Sequence, residues 1–245
     1  MPGYISNEKK TFEALMRSDN ILKHGLSLMM DALEQDEIDF WAGAIKRYAE
    51  RGDKVVEMGC GSGRIVKLLA RAGFHICGFD NDRLFIGYCK KQNLDVFYLD
   101  AIKAVPKNQM GRYKIAGITS NTLLNFPKKA RNKWISCAHS LLRDKGILLV
   151  TVYSDTRFSR HTIDERVKFY RNVLAPSNGA HVEFFDNKKR AGIHLCNKKG
   201  KELWFSEWLS KNELQREINS WTGLKLVSAK LLKCGFAWGL ALKKI

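Results

Sequence analysis

The stretch Glu57-Met58-Gly59-Cys60-Gly61-Ser62-Gly63 carries one carboxylate and three glycines at alternate positions, followed from Arg64 by the apolar spacing of a helix. Val55 and Val56 before it read as a buried strand. Glycine turns sharply and has no Cβ to hold a ligand off the backbone. A strand that ends in such a turn and feeds a helix N-terminus offers free N–H groups and the positive end of a helix dipole. The stretch therefore reads as a cradle for a polar ligand at a sheet edge; a plain strand-to-helix turn needs only one glycine. A dinucleotide fingerprint would place its third glycine at 64, which is Arg, and a G-x-x-x-x-G-K-[ST] phosphate loop is absent. Cys60 fits as a small residue without a redox role.

Other polar side chains sit where chemistry is plausible by type. Asp80 and Asp100 close the segments "GFD" and "FYLD". Asn121 lies in "ITSNTLLNF", and Glu207 lies among Trp204, Phe205 and Trp208 on an expected strand. A carboxylate there must face solvent or accept hydrogen bonds within a site. Each has a plainer reading: a helix cap for Asp80, a solvated loop for Asp100, a turn for Asn121, and core packing for the aromatic residues.

The elements that must position these residues follow from periodicity. Residues 1–53 read as a helical cap, with Ile38, Trp41, Ile45 and Tyr48 at helical spacing and Gly52 as a stop. From Lys54 onward, strands are expected over 54–59, 75–80, 95–100, 113–120 and 147–154. Helices are expected over 63–73, 83–92 and 129–146. Strand–helix alternation with short connections argues a parallel, doubly wound sheet whose strand C-termini share one edge. Beyond residue 154 the pattern changes. A helix over 162–175 and three strands over 181–187, 190–197 and 201–210 precede a helix capped by Ser210. Two final strands, 224–233 and 235–244, suit an antiparallel addition to the sheet. The fold class is thus α/β: a mostly parallel seven-stranded sheet with helices on both faces. Residues 1–53 form the cap, 54–245 the domain, and 155–210 an α+β insertion over the strand edge.

"EMGCGSG" resembles the first motif, [DE]-x-G-x-G-x-G, of the class I S-adenosylmethionine-dependent methyltransferases, in particular those acting on small molecules. The resemblance has motif-level detail over roughly 50–154. It implies that Glu57, Gly59, Cys60, Gly61 and Gly63 cradle S-adenosyl-L-methionine. Asp80, with Asn81 beside it, would meet the ribose hydroxyls, by the logic of the acidic residue in dinucleotide folds. Asp100 and the backbone of Ala101 would meet the adenine. "ITSNTLLNF" is similar to the fourth motif of glycine N-methyltransferase-type enzymes, which places Ser120 beside the donor and makes Asn121, with Glu207, a candidate catalytic residue. Tyr4, Tyr153, His161, Tyr170 and Trp208 are candidates for the acceptor wall. The sequence departs from the pattern at Lys114, which follows Tyr113 where an Asp is usual. It lacks the [DN]-P-P-[YFW] motif of adenine-N6 and glutamine methyltransferases, and no cysteine lies on the turn that RNA cytosine-C5 enzymes use.

Composition bounds the rest. The 245 residues are 45% hydrophobic and 27% charged, which suits one globular domain. The net charge of +17 attracts anions, nucleic acid among them, but the cations are spread along the chain. Six cysteines without C-x-x-C spacing, and an N-terminus without an apolar leader, read as reduced thiols in a cytoplasmic protein. No metal and no membrane span are expected. The favoured reading is methyl transfer to a nitrogen or oxygen of a small molecule or short peptide. An RNA methyltransferase and a non-catalytic cofactor-binding subunit are the alternatives.

Overall fold

The computed structural model describes residues 27–153, 181–187, 190–196, 202–235 and 237–245. Tyr4, His161, Tyr170 and the helix expected over 162–175 lie outside them.

Of the helical cap expected over 1–53, the described part is one helix, α1 (Ser27–Tyr48). Trp41, Ala44 and Ile45 recur at the spacing of one helix face and are buried. The alternating region follows as β1 (Val55–Met58), α2 (Arg64–Arg71), β2 (Ile76–Asp80), α3 (Arg83–Lys91), β3 (Val96–Tyr98), β4 (Tyr113–Ile118), α4 (Lys128–Leu141) and β5 (Leu142–Tyr153). Then come β6 (His181–Asn187), β7 (Arg190–Cys196), β8 (Glu202–Leu209), α5 (Lys211–Asn219), β9 (Leu224–Leu231) and β10 (Ala237–Lys244).

Seven strands form one sheet in the order β3-β2-β1-β4-β5-β10-β9. β1 to β5 pair in parallel, and β10 runs antiparallel between β5 and β9. β6, β7 and β8 make a separate antiparallel sheet. β1 lies between β2 and β4, so strand order reverses there. In an open α/β sheet the crevice beyond the strand C-termini at such a reversal is the ligand edge.

Both sheet faces are covered. Trp41 of α1, Ile65 and Leu69 of α2 and Ile86 of α3 pack on one face, against Val55, Ile115 and Leu149. Trp134 and Ile135 of α4 and Ile218 of α5 pack on the other, against Met58, Ile118 and Val150. α1 lies close to the sheet: a Cβ at Gly117 of β4 would stand 2.1 Å from the Trp41 ring. The helix expected over 129–146 ends at Leu141, because Leu142 already pairs with Tyr113 in the ladder. The left-handed Lys145 (φ 57°) then sits just before the buried run from Ile147.

Candidate active site

The glycine turn leaves β1 at the C-terminal edge of the sheet. Gly59, Gly61 and Gly63 all have positive φ (71°, 50° and 75°), which an L side chain adopts only with strain. Gly61 and Gly63 serve different ends. A Cβ at Gly63 would press on Leu94 and on the Cys89 sulfur at 2.6 and 2.8 Å, so this glycine lets the turn seat on α3. A Cβ at Gly61 would meet nothing within 4 Å, and Gly61 lines a cavity of about 220 Å³.

That cavity is apolar on most sides and carries one carboxylate. Phe79, Leu99, Ala101, Phe126 and Trp134 wall it, and Asp80 and Asn81 stand at the end of β2. The Phe126 and Trp134 rings pack with centroids 5.1 Å apart and planes tilted by 34°. Asp80 is fixed by backbone donors: Gly61 N donates to Oδ2 and Asp82 N to Oδ1, both at 2.9 Å. Burial raises its pKa, and these hydrogen bonds counter the rise. Each oxygen retains acceptor capacity, since a carboxylate offers about four lone-pair sites. Asp100 accepts from Ile102 N at 3.1 Å and pairs with the exposed Lys103 at 3.5 Å, so its side chain caps the turn after β3.

A second polar group lies deeper. Glu57 is buried on β1, and Thr119 Oγ1 donates to its Oε1 at 2.6 Å. Desolvation pushes the Glu57 carboxyl up to about 8. After β4 the backbone passes through two consecutive left-handed residues, Ser120 (φ 52°) and Asn121 (φ 63°). Two such non-glycine residues in a row store strain that the surroundings must hold in place. Glu37 of α1 holds the first: it accepts from Ser120 N at 2.6 Å and from Ser120 Oγ at 2.9 Å. Arg64, the first residue of α2, donates to Ser120 Oγ at 2.9 Å and to Glu37 at 3.3 Å. Asn121 holds the second: Tyr153 N donates to its Oδ1 at 2.8 Å, and its Nδ2 donates to the Glu207 carbonyl at 3.1 Å.

Asn121 thus joins the edge of β4 to β5 and β8. The side chain of Glu207 faces neither solvent nor the cavity's glycine turn. It is buried and hydrogen-bonded to the buried Arg131 of α4, which also lies 3.5 Å from Glu217 of α5 and donates to the Phe126 carbonyl at 2.7 Å. Tyr153 and Trp208 are buried beside this network. Cys60 is buried under the turn, and Cys89 donates to the Gly61 carbonyl at 3.3 Å.

Sequence reading brought Glu57, the glycines, Asp80 and Ser120 to one edge. It missed Glu37, Arg64, Arg131 and Glu217. Glu37 had a signal: it lies one helical turn before Trp41, on the apolar stripe, where a carboxylate needs a partner. Arg64 was noticed only as the residue that breaks a dinucleotide fingerprint. Arg131 sits on the face of α4 that carries Trp134, Ile135 and Ala138, and its partners lie some 80 residues away.

A sequence pattern described as a methyltransferase domain matches residues 33–193. No curated protein matches the chain by sequence. The fold is similar to that of an S-adenosylmethionine-dependent methyltransferase from Clostridium acetobutylicum (11% identity, TM-score 0.59, covering 94% of this chain and 98% of that one). It is also similar to 1,6-didemethyltoxoflavin-N1-methyltransferase of Burkholderia thailandensis, solved with its substrate and S-adenosylhomocysteine (13% identity, TM-score 0.57, 100% and 92%). A third is the glycopeptide N-methyltransferase MtfA with S-adenosylmethionine (11% identity, TM-score 0.60, 87% and 95%). At these identities the likeness concerns the fold.

Proposed function

The chain belongs to the methyltransferase-domain family, and from that premise we propose that it moves a methyl group from S-adenosyl-L-methionine to a nitrogen or oxygen of a small molecule or short peptide. The observation that carries the reading is the open Cβ position at Gly61, whose N–H holds the Asp80 carboxylate at 2.9 Å, on the wall of a largely apolar slot. A nucleoside needs that combination: aromatic walls for the base and a fixed carboxylate for the ribose hydroxyls. The carboxyl groups of Glu57 and Glu37 lie buried behind the same turn, and Glu37 is paired with Arg64 at 3.3 Å. When bound, the donor supplies an electrophilic methyl on a sulfonium and leaves as S-adenosyl-L-homocysteine.

The residues of this chain would then act by alignment and electrostatics. Gly61 lets the backbone approach the donor, and Asp80 orients its sugar. Asp100 and Ala101 bound the base end, with Asn81 at the rim. Cys60 keeps the turn thin beneath Gly61. Ser120, locked by Glu37 and Arg64, fixes the backbone beside the reacting centre. Asn121 and Glu207 are proposed as positioning residues: they tie β8 to the strand edge, with Tyr153 and Trp208 behind them. Tyr4, His161 and Tyr170 remain proposed members of the acceptor wall. The neighbours that methylate a toxoflavin precursor and a glycopeptide support a small or peptidic acceptor. Among the described residues no helix is long and apolar enough to cross a membrane. Among the described residues five cysteines are free, which supports a reducing, cytoplasmic setting.

The test is transfer itself. The protein is incubated with cell extract, separately fractionated into metabolites and RNA, and with donor carrying an isotopically labelled methyl. Label that enters a low-molecular-mass compound or peptide supports the reading. Label that enters only RNA contradicts the acceptor class, and no label in any fraction contradicts catalysis.

A further inference from the structure

The edge of the sheet opposite the glycine turn holds a second and larger cavity, of about 450 Å³. We propose that it is a binding site for a planar aromatic anion, separate from the site of methyl transfer.

The connection between β3 and β4 explains why the cavity exists. A parallel crossover is usually an α-helix that covers the sheet face. Here its only described helical piece is a three-residue 3-10 turn, Lys107–Gln109. The sheet face beneath it, at Cys77 of β2, Phe97 of β3 and Tyr113 of β4, is left with a hollow at its N-terminal end. Phe74, before β2, adds a further ring. The volume lies in the range of small-molecule sites, about 300–1,000 Å³.

The floor is polar but ordered. The Tyr113 hydroxyl donates to Gln109 Oε1 at 2.7 Å, and the Cys77 thiol lies 3.6 Å from the Val55 carbonyl and 3.7 Å from the Tyr113 hydroxyl. The rim is charged. Lys54, His75 and Arg112 line the cavity, with Asp95 as its one carboxylate. Arg112 donates to the Asn108 carbonyl at 3.1 Å. Among the described residues Lys54, His75 and Arg112 are in no ion pair. Two permanent cations and a histidine against a single acid favour an anionic group at the mouth, and the rings behind favour a flat apolar body. The cavity at the glycine-turn edge differs: Asp80 is the one carboxylate that lines it, and no lysine, arginine or histidine does. One ligand chemistry therefore does not suit both.

The experiment is a calorimetric titration of the whole chain with 1-naphthyl phosphate, with 1-naphthol and inorganic phosphate as controls. The site predicts one-to-one binding of the aryl phosphate and much weaker binding of either control. Lys54→Ala and Arg112→Ala change exposed side chains and leave the fold intact, which thermal melting checks. Each weakens the aryl phosphate by about tenfold, the scale of one charge-assisted contact. Asp95→Asn tightens it. Asp80→Ala, at the other edge, leaves it unchanged. The proposal is overturned by absence of binding, by equal affinity for naphthol or for inorganic phosphate, by affinity indifferent to Lys54 and Arg112, or by loss in Asp80→Ala.

Discussion

At the scale of the residue, the protonation of Glu57 bears directly on the folded state. Its carboxyl rises from 4.5 to about 8 through desolvation, with Thr119 and Arg64 opposing the rise and Glu37 adding to it. The folded protein therefore holds a proton that the unfolded chain has lost, across the window from pH 4.5 to about 8. Stability is full below that window and falls as pH rises through it. Glu37 and Asp80 are raised as well and act in the same direction. Urea unfolding between pH 5 and pH 8 should show a midpoint that falls with pH. Glu57→Gln, which is neutral at every pH, should flatten that dependence; an unchanged slope would contradict the assignment. Glu57 and its glycines were legible because they form a local pattern. Glu37 was legible only as a carboxylate on an apolar stripe, because its partner Ser120 lies 83 residues away in the chain.

At the scale of the element, two contacts decide how the edge is built. α1 is held to β4 by the Trp41 ring over Gly117, where a methyl group would stand 2.1 Å from the ring. Gly117→Ala should force α1 outward and cost about 1–3 kcal/mol, as overpacking does, read as a lower melting temperature. Because α1 carries Glu37, donor affinity should fall with it. Arg131 binds α4 to β8 and α5 through Glu207 and Glu217, all three within 3% of full burial. Arg131→Ala leaves two buried acids without their cation and should cost about 3–5 kcal/mol by urea unfolding. A loss below about 1 kcal/mol would mean that the acids find other partners. The strands and helices from Lys54 to Tyr153 were readable from periodicity, since a parallel sheet buried on both faces leaves short apolar runs between helical stripes. The end of α4 was not. "LLRDKG" continues a helical pattern, and only the pairing of Leu142 with Tyr113 breaks it.

At the scale of the whole molecule, the sheet separates two edges of contrasting chemistry. The cavity at the strand C-termini holds one carboxylate, Asp80, beside a glycine turn, and the one at the N-terminal ends of β1, β2 and β4 is lined by Lys54, His75 and Arg112 around aromatic rings. The sequence showed only a net charge of +17, because a sum over the chain hides which edge each charge occupies. The proposed function requires the glycine-turn edge to hold S-adenosyl-L-methionine through Asp80, oriented by the Gly61 N–H. Calorimetry of S-adenosyl-L-methionine with the unaltered chain and with Asp80→Ala, both shown by circular dichroism to be folded, tests it most directly. The account predicts one-to-one binding to the unaltered chain and a loss of about 1.5–3 kcal/mol in the variant, the worth of hydrogen bonds to a charged group. Equal affinity of the two proteins, or no binding to either, would contradict it.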